Sequence, residues 1–281
     1  MIIWIASYPK SGNTWVRALL STYLYSEDGD CNFKILSKIK QFPSSFYLDF
    51  FLKELNDIKK VSNYWLAAQE RINLSNQNIL LKTHSALCTL ENNPFTDKFN
   101  TAGVIYVVRD PRNVITSISH HYSLSVDDSV KFIKKKNNML VGEKYRKNDS
   151  GIAQVLGDWS SHYRSWRDIK FAPILIIKYE DLLINTRDTF LKILKFLNMF
   201  IKIENNEKKI QNTISSCSFE SLSKNEQDEG FLEAAISKKN NKNLKFFYLG
   251  KKNNWKNFLN SEIENNIKEN FKNEMKELNY I

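Results

Sequence analysis

Cysteine is scarce in this chain of 281 residues: Cys31, Cys88 and Cys217 lie far apart, are odd in number and form no C-x-x-C. They give no disulfide framework and no zinc or redox centre, and they fit reduced thiols in a cytoplasm. Long apolar runs are missing too. None approaches the length that spans a bilayer, and Met1 leads straight into an apolar stretch with no basic segment ahead of it. Neither an integral membrane protein nor a secreted one is expected. Glycine is rare and asparagine abundant, which reads as a bias of genome composition rather than a structural device. Charge of one sign is in surplus, at +10, but the excess is spread over many lysine-rich stretches. It is compatible with any anionic ligand and does not by itself indicate nucleic acid.

The length allows one sizeable α/β domain or two small ones. The most informative stretch comes first. An apolar run, Ile2 to Ala6, is followed by Ser7-Tyr8-Pro9-Lys10-Ser11-Gly12-Asn13, and then Val16, Leu19, Leu20, Tyr23 and Leu24 recur at helical spacing. This is a buried strand, a tight loop and a helix. Loop N–H groups and a helix N-terminus then converge beyond the strand's carboxyl end, a place that suits a phosphate-like anion. Lys10 adds a mobile positive charge there, and Ser11 and Thr14 add hydroxyls.

Three further runs repeat the pattern. Asn78 to His84, Gly103 to Val108 and Pro173 to Lys178 read as buried strands that end respectively in Lys82 and His84, in Arg109, and in Tyr179. Asp110-Pro111 supplies an N-cap and a proline at the first helical position after the third of these. Continuous apolar strands alternating with helices predict a parallel sheet covered on both faces, with ligands bound beyond the strands' carboxyl ends. All four strands carry their polar residues at that end. Residues 46 to 74 read as helical, and their aromatics form either core or the wall of an apolar acceptor pocket. Residues 127 to 148 read as a solvated helix and loop, and a last helix is expected from about Ser261 to Leu278.

Arg109 ends a strand, and Ser117 lies two helical turns beyond the cap Asp110, so both can face one side. With the Lys10 loop they make two anion sites on one sheet edge, which suits a ligand phosphorylated at two places. The structural alternative for Arg109 is an ion pair with Asp110 or Glu180. His84 is the candidate general base because it ends a strand in the same row as Lys10, with His120, His121 and His162 as competitors.

At these positions the chain resembles the sulfotransferases that use 3′-phosphoadenosine 5′-phosphosulfate (PAPS), most closely their cytosolic-type members. The stretch Tyr8-Pro9-Lys10-Ser11-Gly12-Asn13-Thr14-Trp15 is similar to their phosphosulfate loop, and Lys82-Thr83-His84 to their K-T-H segment. Val107 to Val114, through Ser117, resembles their 3′-phosphate motif. Tyr179-Glu180-Asp181-Leu182 and Trp255-Lys256-Asn257 match later segments in the right order. The resemblance implies a single domain over residues 1–281, with a central parallel sheet flanked by helices and a P-loop-like phosphosulfate-binding loop. Segments of about 25–75 and 120–170 would form the acceptor pocket and lid.

Roles follow from the resemblance. Lys10 would stabilise charge on the leaving phosphate, Lys82 would assist at the transferring sulfonyl group, and His84 would take the acceptor's proton. Ser11, Gly12, Asn13 and Thr14 would cradle the 5′-phosphate, and Trp15, Phe219 and Phe246 would flank the adenine. Arg109 and Ser117, with Tyr179 close by and a backbone N–H of Gly250, would hold the 3′-phosphate. PAPS would leave as the bisphosphate PAP, without a metal, and the acceptor would be a hydroxyl (or amine) of a small molecule, glycan or lipid. The chain departs from the family in one place: the usual Arg-Lys before Gly250 is Tyr248-Leu249, which predicts weaker donor binding unless Lys251 or Lys252 substitutes. The dimer motif of some animal members is not evident near the carboxyl end, which leaves the oligomeric state unassigned.

Three rival readings stand beside this one. A P-loop kinase would need G-x-x-x-x-G-K-[ST], whereas Lys10 here precedes Gly12 and no glycine lies before it in the loop. A catalytically impaired protein that binds PAPS or PAP fits the eroded carboxyl-terminal motif but not the presence of Lys10 and His84. A nucleic-acid binder rests on net charge alone.

Overall fold

The computed structural model describes residues 1–140, 152–236 and 243–281. Five parallel strands form its central sheet: β1 (Ile2–Ser7), β2 (Lys40–Gln41), β3 (Ile79–Thr83), β4 (Thr101–Val108) and β5 (Ile174–Lys178), in the spatial order β2-β3-β1-β4-β5. Four of these are the apolar runs of the sequence. The fifth, β2, is two residues long and carries no apolar run of its own, so periodicity gives no sign of it.

The helices that frame the site are α1 (Asn13–Tyr25), α2 (Pro111–Tyr122), α3 (Trp159–Arg167), α4 (Thr186–Leu197) and α5 (Phe219–Glu229). Side chains alternate across the sheet. Ile2, Trp4 and Ala6 of β1 join one core with Val104, Tyr106 and Val108 of β4. Ile3 and Ile5 join the other with Ile105 and Val107. The first core is aromatic: the Trp4 ring lies 5.4 Å from Phe95 and 5.8 Å from Phe42, and its indole N–H donates to Thr101 Oγ1 at 3.0 Å. The second is mostly aliphatic, built in part by the inner faces of α1 and α4. Each fully buried side chain of this kind contributes about 1.5–3 kcal/mol of transfer free energy, so the strands are fixed tightly under the loops they carry.

The expected helix over 46–74 is three short ones, Ser45–Leu48, Ile58–Ser62 and Trp65–Asn73. Asp57 accepts the Lys59 N–H at 3.0 Å, a local capping bond that starts a new helix instead of continuing an old one. The last expected helix breaks into Ser261–Asn270 and Lys272–Glu277 at Phe271, which buries its ring 5.3 Å from Trp159. Of the expected solvated segment, Val126–Lys134 is helical and 141–148 lies outside the described residues. Among the described residues no helix is long and apolar enough to cross a membrane.

Candidate active site

Parallel register puts the strand ends in one row. Ala6 lies opposite Thr83, Ser7 opposite Val107, and Val108 opposite Lys178, so His84, Tyr8, Arg109 and Tyr179 emerge side by side. Above them lies one cavity of about 760 Å³. Its lining includes Lys10, Gly12, Asn13, Thr14, Trp15, Lys82, His84, Arg109, Ser117, Tyr179, Phe219, Phe246 and Gly250. Of the residues expected at the site, only Ser11 is outside that lining; it is fully buried beneath the loop.

The loop between β1 and α1 takes an unusual path. Lys10 has φ +65° and Gly12 φ +104°, both left-handed. A Cβ at Gly12 would stand 2.4 Å from the Tyr179 ring, so only glycine fits there. The turn exposes the first N–H groups of α1, which has no side-chain cap and no acidic residue in its first turn, and leaves the helix's positive end open to an anion. The Asn13 side chain is spent on structure: its Nδ2 donates to the Ile5 carbonyl at 2.9 Å and to Ser7 Oγ at 3.2 Å. Asn13 therefore serves an anion through its backbone only. Lys10 Nζ lies 3.9 Å from the centre of the Phe246 ring. That ring is held by Glu226, whose carboxylate accepts the N–H groups of Phe246 and Phe247 at 2.6 and 2.9 Å.

His84 is oriented from behind. Its Nδ1 is 2.8 Å from the Ser7 carbonyl, an oxygen that can only accept, so Nδ1 carries the proton and Nε2 is the basic nitrogen. Burial first, and the charge of Lys82 second, hold its pKa well below that of a free histidine. The imidazole is neutral near pH 7, the state that a base needs. Among its competitors, His162 is fully buried and has both ring nitrogens engaged: Nε2 donates to the His84 carbonyl at 3.0 Å, and Nδ1 accepts from Tyr106 Oη at 2.8 Å. It is a structural residue under His84. His120 stacks on Tyr248 at 3.8 Å and donates from Nε2 to the Lys245 carbonyl at 2.9 Å. His121 packs edge-on against Phe246 at 5.7 Å.

Arg109 is 6% exposed and pairs with neither of its neighbouring carboxylates. Asp110 is held by Arg112 at 2.7 Å. Glu180 accepts the Asp110 N–H at 3.1 Å and the Tyr280 hydroxyl at 2.9 Å. The guanidinium instead braces the loop, donating to the Lys10 carbonyl at 3.1 Å, and lies 4.2 Å over the Tyr179 ring. Its Nε is buried with no hydrogen-bond partner among the described residues, as is Ser11 Oγ. Orphaned donors at both anion positions fit a ligand bearing two anionic groups, because such groups are costly to leave unmet.

Trp15 donates from its indole to the Cys217 carbonyl at 2.9 Å and meets Tyr179 edge-on at 5.7 Å. Gly250 (φ +52°) lies against the Phe219 ring, where a Cβ would stand 2.7 Å away. The Trp255-Lys256-Asn257 segment does not enter the cavity: Trp255 covers the Arg112 guanidinium at 4.1 Å and gives its N–H to Asn113 at 2.9 Å. Tyr248, Leu249 and Lys251 line the cavity where the Arg-Lys pair is missing, whereas Lys252 does not. Of the aromatic residues between positions 42 and 66, only Phe46 lines the cavity. Phe42, Leu48 and Trp65 are core.

Two charged residues of the cavity wall carried no expectation. Arg17, one turn after Thr14 on α1, is buried at the cavity wall, and Glu233 reaches the same point from a distant loop. Spacing gives a signal for the first, since i and i+3 share a helix face. Nothing local marks the second.

Residues 2–279 match the family model for the sulfotransferase domain, and the chain belongs to that family, whose members take their sulfonate from PAPS. Cytosolic sulfotransferase 5 of Arabidopsis thaliana is 26% identical over 94% of this chain and 76% of its own length. Flavonol 3-sulfotransferase of Flaveria bidentis is 25% identical over 93% and 77%. Among solved structures, a mouse sulfotransferase complexed with PAP superposes with a TM-score of 0.61 at 21% identity, covering 98% of this chain and 84% of that one. Retinol dehydratase in complex with androsterone and PAP gives 0.60 at 19%, covering 98% and 80%.

Proposed function

We propose that the protein moves a sulfonate group from PAPS to the hydroxyl of a small acceptor by in-line displacement, with His84 as the base. The carrying observation is that His84 Nε2 is the basic nitrogen of a neutral imidazole in the same cavity as Lys10 and Lys82. PAPS supplies the activated sulfonyl group. Lys10 faces the phosphate oxygen that gains charge as the S–O bond breaks, and Lys82 steadies the sulfonyl oxygens. The loop N–H groups and the Ser11 and Thr14 hydroxyls hold the 5′-phosphate, and Trp15 and Phe219 flank the base. Arg109 and Ser117, with Tyr179 beside them, hold the 3′-phosphate. Rate acceleration then comes from positioning and fixed positive charge rather than from a covalent intermediate.

Phe46, Tyr122, Leu140 and Ile152 line the acceptor end of the cavity, and their chemistry favours an apolar or aromatic alcohol. The name of one relative, flavonol 3-sulfotransferase, supports the same direction. The cytosolic name of the plant relative supports a cytoplasmic location. Transfer of labelled sulfonate to a panel of phenols, sterols, sugars and lipid extracts tests the reading. Wild type is expected to label at least one alcohol and Lys10→Ala none. Full activity in His84→Ala would move the base to His120 or His121.

A further inference from the structure

Thr14 Oγ1 donates to Glu233 Oε2 at 3.1 Å, Arg17 donates to Oε1 at 2.6 Å, and Lys82 Nζ lies 3.7 Å from Oε2. These are a helix-start hydroxyl, a buried guanidinium and the lysine of the K-T-H segment, all in the part of the cavity assigned above to the 5′-phosphosulfate. The carboxylate lies 219 and 216 residues beyond Thr14 and Arg17 in sequence.

Its delivery is built into the loop. α5 ends at Gly230, and Phe231 then seats among Phe33, Phe246 and Phe247, with ring centres 4.6, 4.8 and 5.4 Å away. Beyond Glu233, the Ala234 N–H returns to the Phe231 carbonyl at 3.0 Å and Ala235 accepts the Leu244 N–H at 2.6 Å. The chain is anchored on both sides of Glu233, so its position is not that of a free side chain that has drifted to the nearest cation. Burial opposes its charge, but Arg17 and Lys82, with hydrogen bonds from Arg17 and Thr14, hold the carboxyl pKa well below the usual carboxylate range. It is an anion at every pH at which the protein is expected to work.

We propose that Glu233 is a tethered rival of the donor: in the free protein its carboxylate fills the 5′-phosphosulfate cradle, and PAPS binds only when Glu233 releases Thr14, Arg17 and Lys82. The inference rests on the donor assignment of the preceding section and adds Arg17 to the groups that the donor's anion takes over. One set of donors cannot serve two anions at once. The apparent donor affinity is therefore the intrinsic affinity reduced by the fraction of molecules in which the cradle is open. The same competition favours release of the product's 5′-phosphate, because Glu233 is ready to re-enter. Its side chain is 30% exposed and has solvent on one side into which to withdraw.

Titration calorimetry of wild type and Glu233→Gln with PAP and, separately, with adenosine 3′-monophosphate tests this. The second nucleotide lacks the 5′-phosphate and does not enter the cradle. Glu233→Gln is expected to bind PAP about tenfold more tightly, the gain if Glu233 closes the cradle in roughly nine of ten molecules. Affinity for adenosine 3′-monophosphate should not change, which also reports that the fold and the adenine site are intact. Equal or weaker PAP binding by the variant overturns the inference and leaves the sulfotransferase assignment standing. So does an equal gain for both nucleotides, which would make the loop a general cover rather than an anion rival. Absence of PAP binding by both proteins overturns the donor assignment and the inference with it.

Discussion

At one end of the cavity Lys10 stands in the loop after β1, Arg17 in the first turns of a thirteen-residue helix and Lys82 on a central strand, with Arg17 and Lys82 nearly inaccessible to water. At the other end Arg109 is the buried cation, and the carboxyl-terminal segment contributes Tyr248, half exposed and stacked on His120, together with Leu249 and the exposed Lys251. The first region is held firmly because Arg17 and Lys82 belong to packed elements and Arg109 braces the loop that carries Lys10. The second rests on a single 3₁₀ turn, Gly250–Lys252. Buried charges interact far more strongly with a ligand than solvent-screened ones do. On the proposed donor placement, the 5′ end has three cations to draw on, and the 3′ end one buried cation, Arg109.

The largest effect separates chemistry from binding. Replacing His84 by alanine is expected to lower kcat by about 10²–10⁴-fold, the range for losing a general base, while PAP binding stays close to wild type. The pH profile carries the sign. A base works when it is neutral, and His84's pKa is lowered by burial and then by Lys82, so the acid limb of kcat/KM should fall below pH 6.5. In Lys82→Met, residual activity should show that limb moved upward, because one of the depressing charges is gone. An acid limb at or above pH 6.5 in wild type would count against His84 as the base.

Next in size is the 3′ anchor. Arg109→Gln removes a charged donor worth about 1.5–3 kcal/mol, which corresponds to roughly 10- to 150-fold weaker PAP binding by calorimetry. Adenosine 5′-monophosphate, which lacks the 3′-phosphate, should lose much less. Equal losses for both nucleotides would show that Arg109 acts through the Lys10 carbonyl it braces, and that the two ends are not independent.

The smallest expected effect is a gain. Tyr248→Arg with Leu249→Lys restores two cations on an exposed turn, where each contributes about 0.2–1 kcal/mol, so PAP binding should tighten by about two- to thirtyfold and fade with added salt. No gain at low salt would mean that Lys251 already serves the 3′-phosphate and that the 3′ end is stronger than its composition indicates.

The strands were legible in the sequence because a strand buried on both faces needs a continuous apolar run, and Ile2–Ala6, Ile79–Leu81, Val104–Val108 and Ile174–Ile177 are such runs. Their polar endings gave Lys10, Lys82, His84, Arg109 and Tyr179, since a change from apolar to polar at a strand's end is itself local information. The segment 46–74 misled for the same reason. Apolar residues at helical spacing report a buried face, but they do not report the capping bond of Asp57 that divides the run.

What the sequence determined by itself was therefore four strands of the sheet, the loop at their edge and the row of polar and charged residues along it, all products of short-range pattern. The tertiary structure alone separated His84 from His162. His84 and His162 are 78 residues apart and differ only in what surrounds them: one has a ring nitrogen left for the cavity, and the other has both engaged. It alone also brought Glu233 to Arg17, across 216 residues of chain. No periodicity or spacing encodes such a pairing. It exists because the loop after α5 is anchored by packed phenylalanines, and the carboxylate it carries inward meets Arg17 and Lys82.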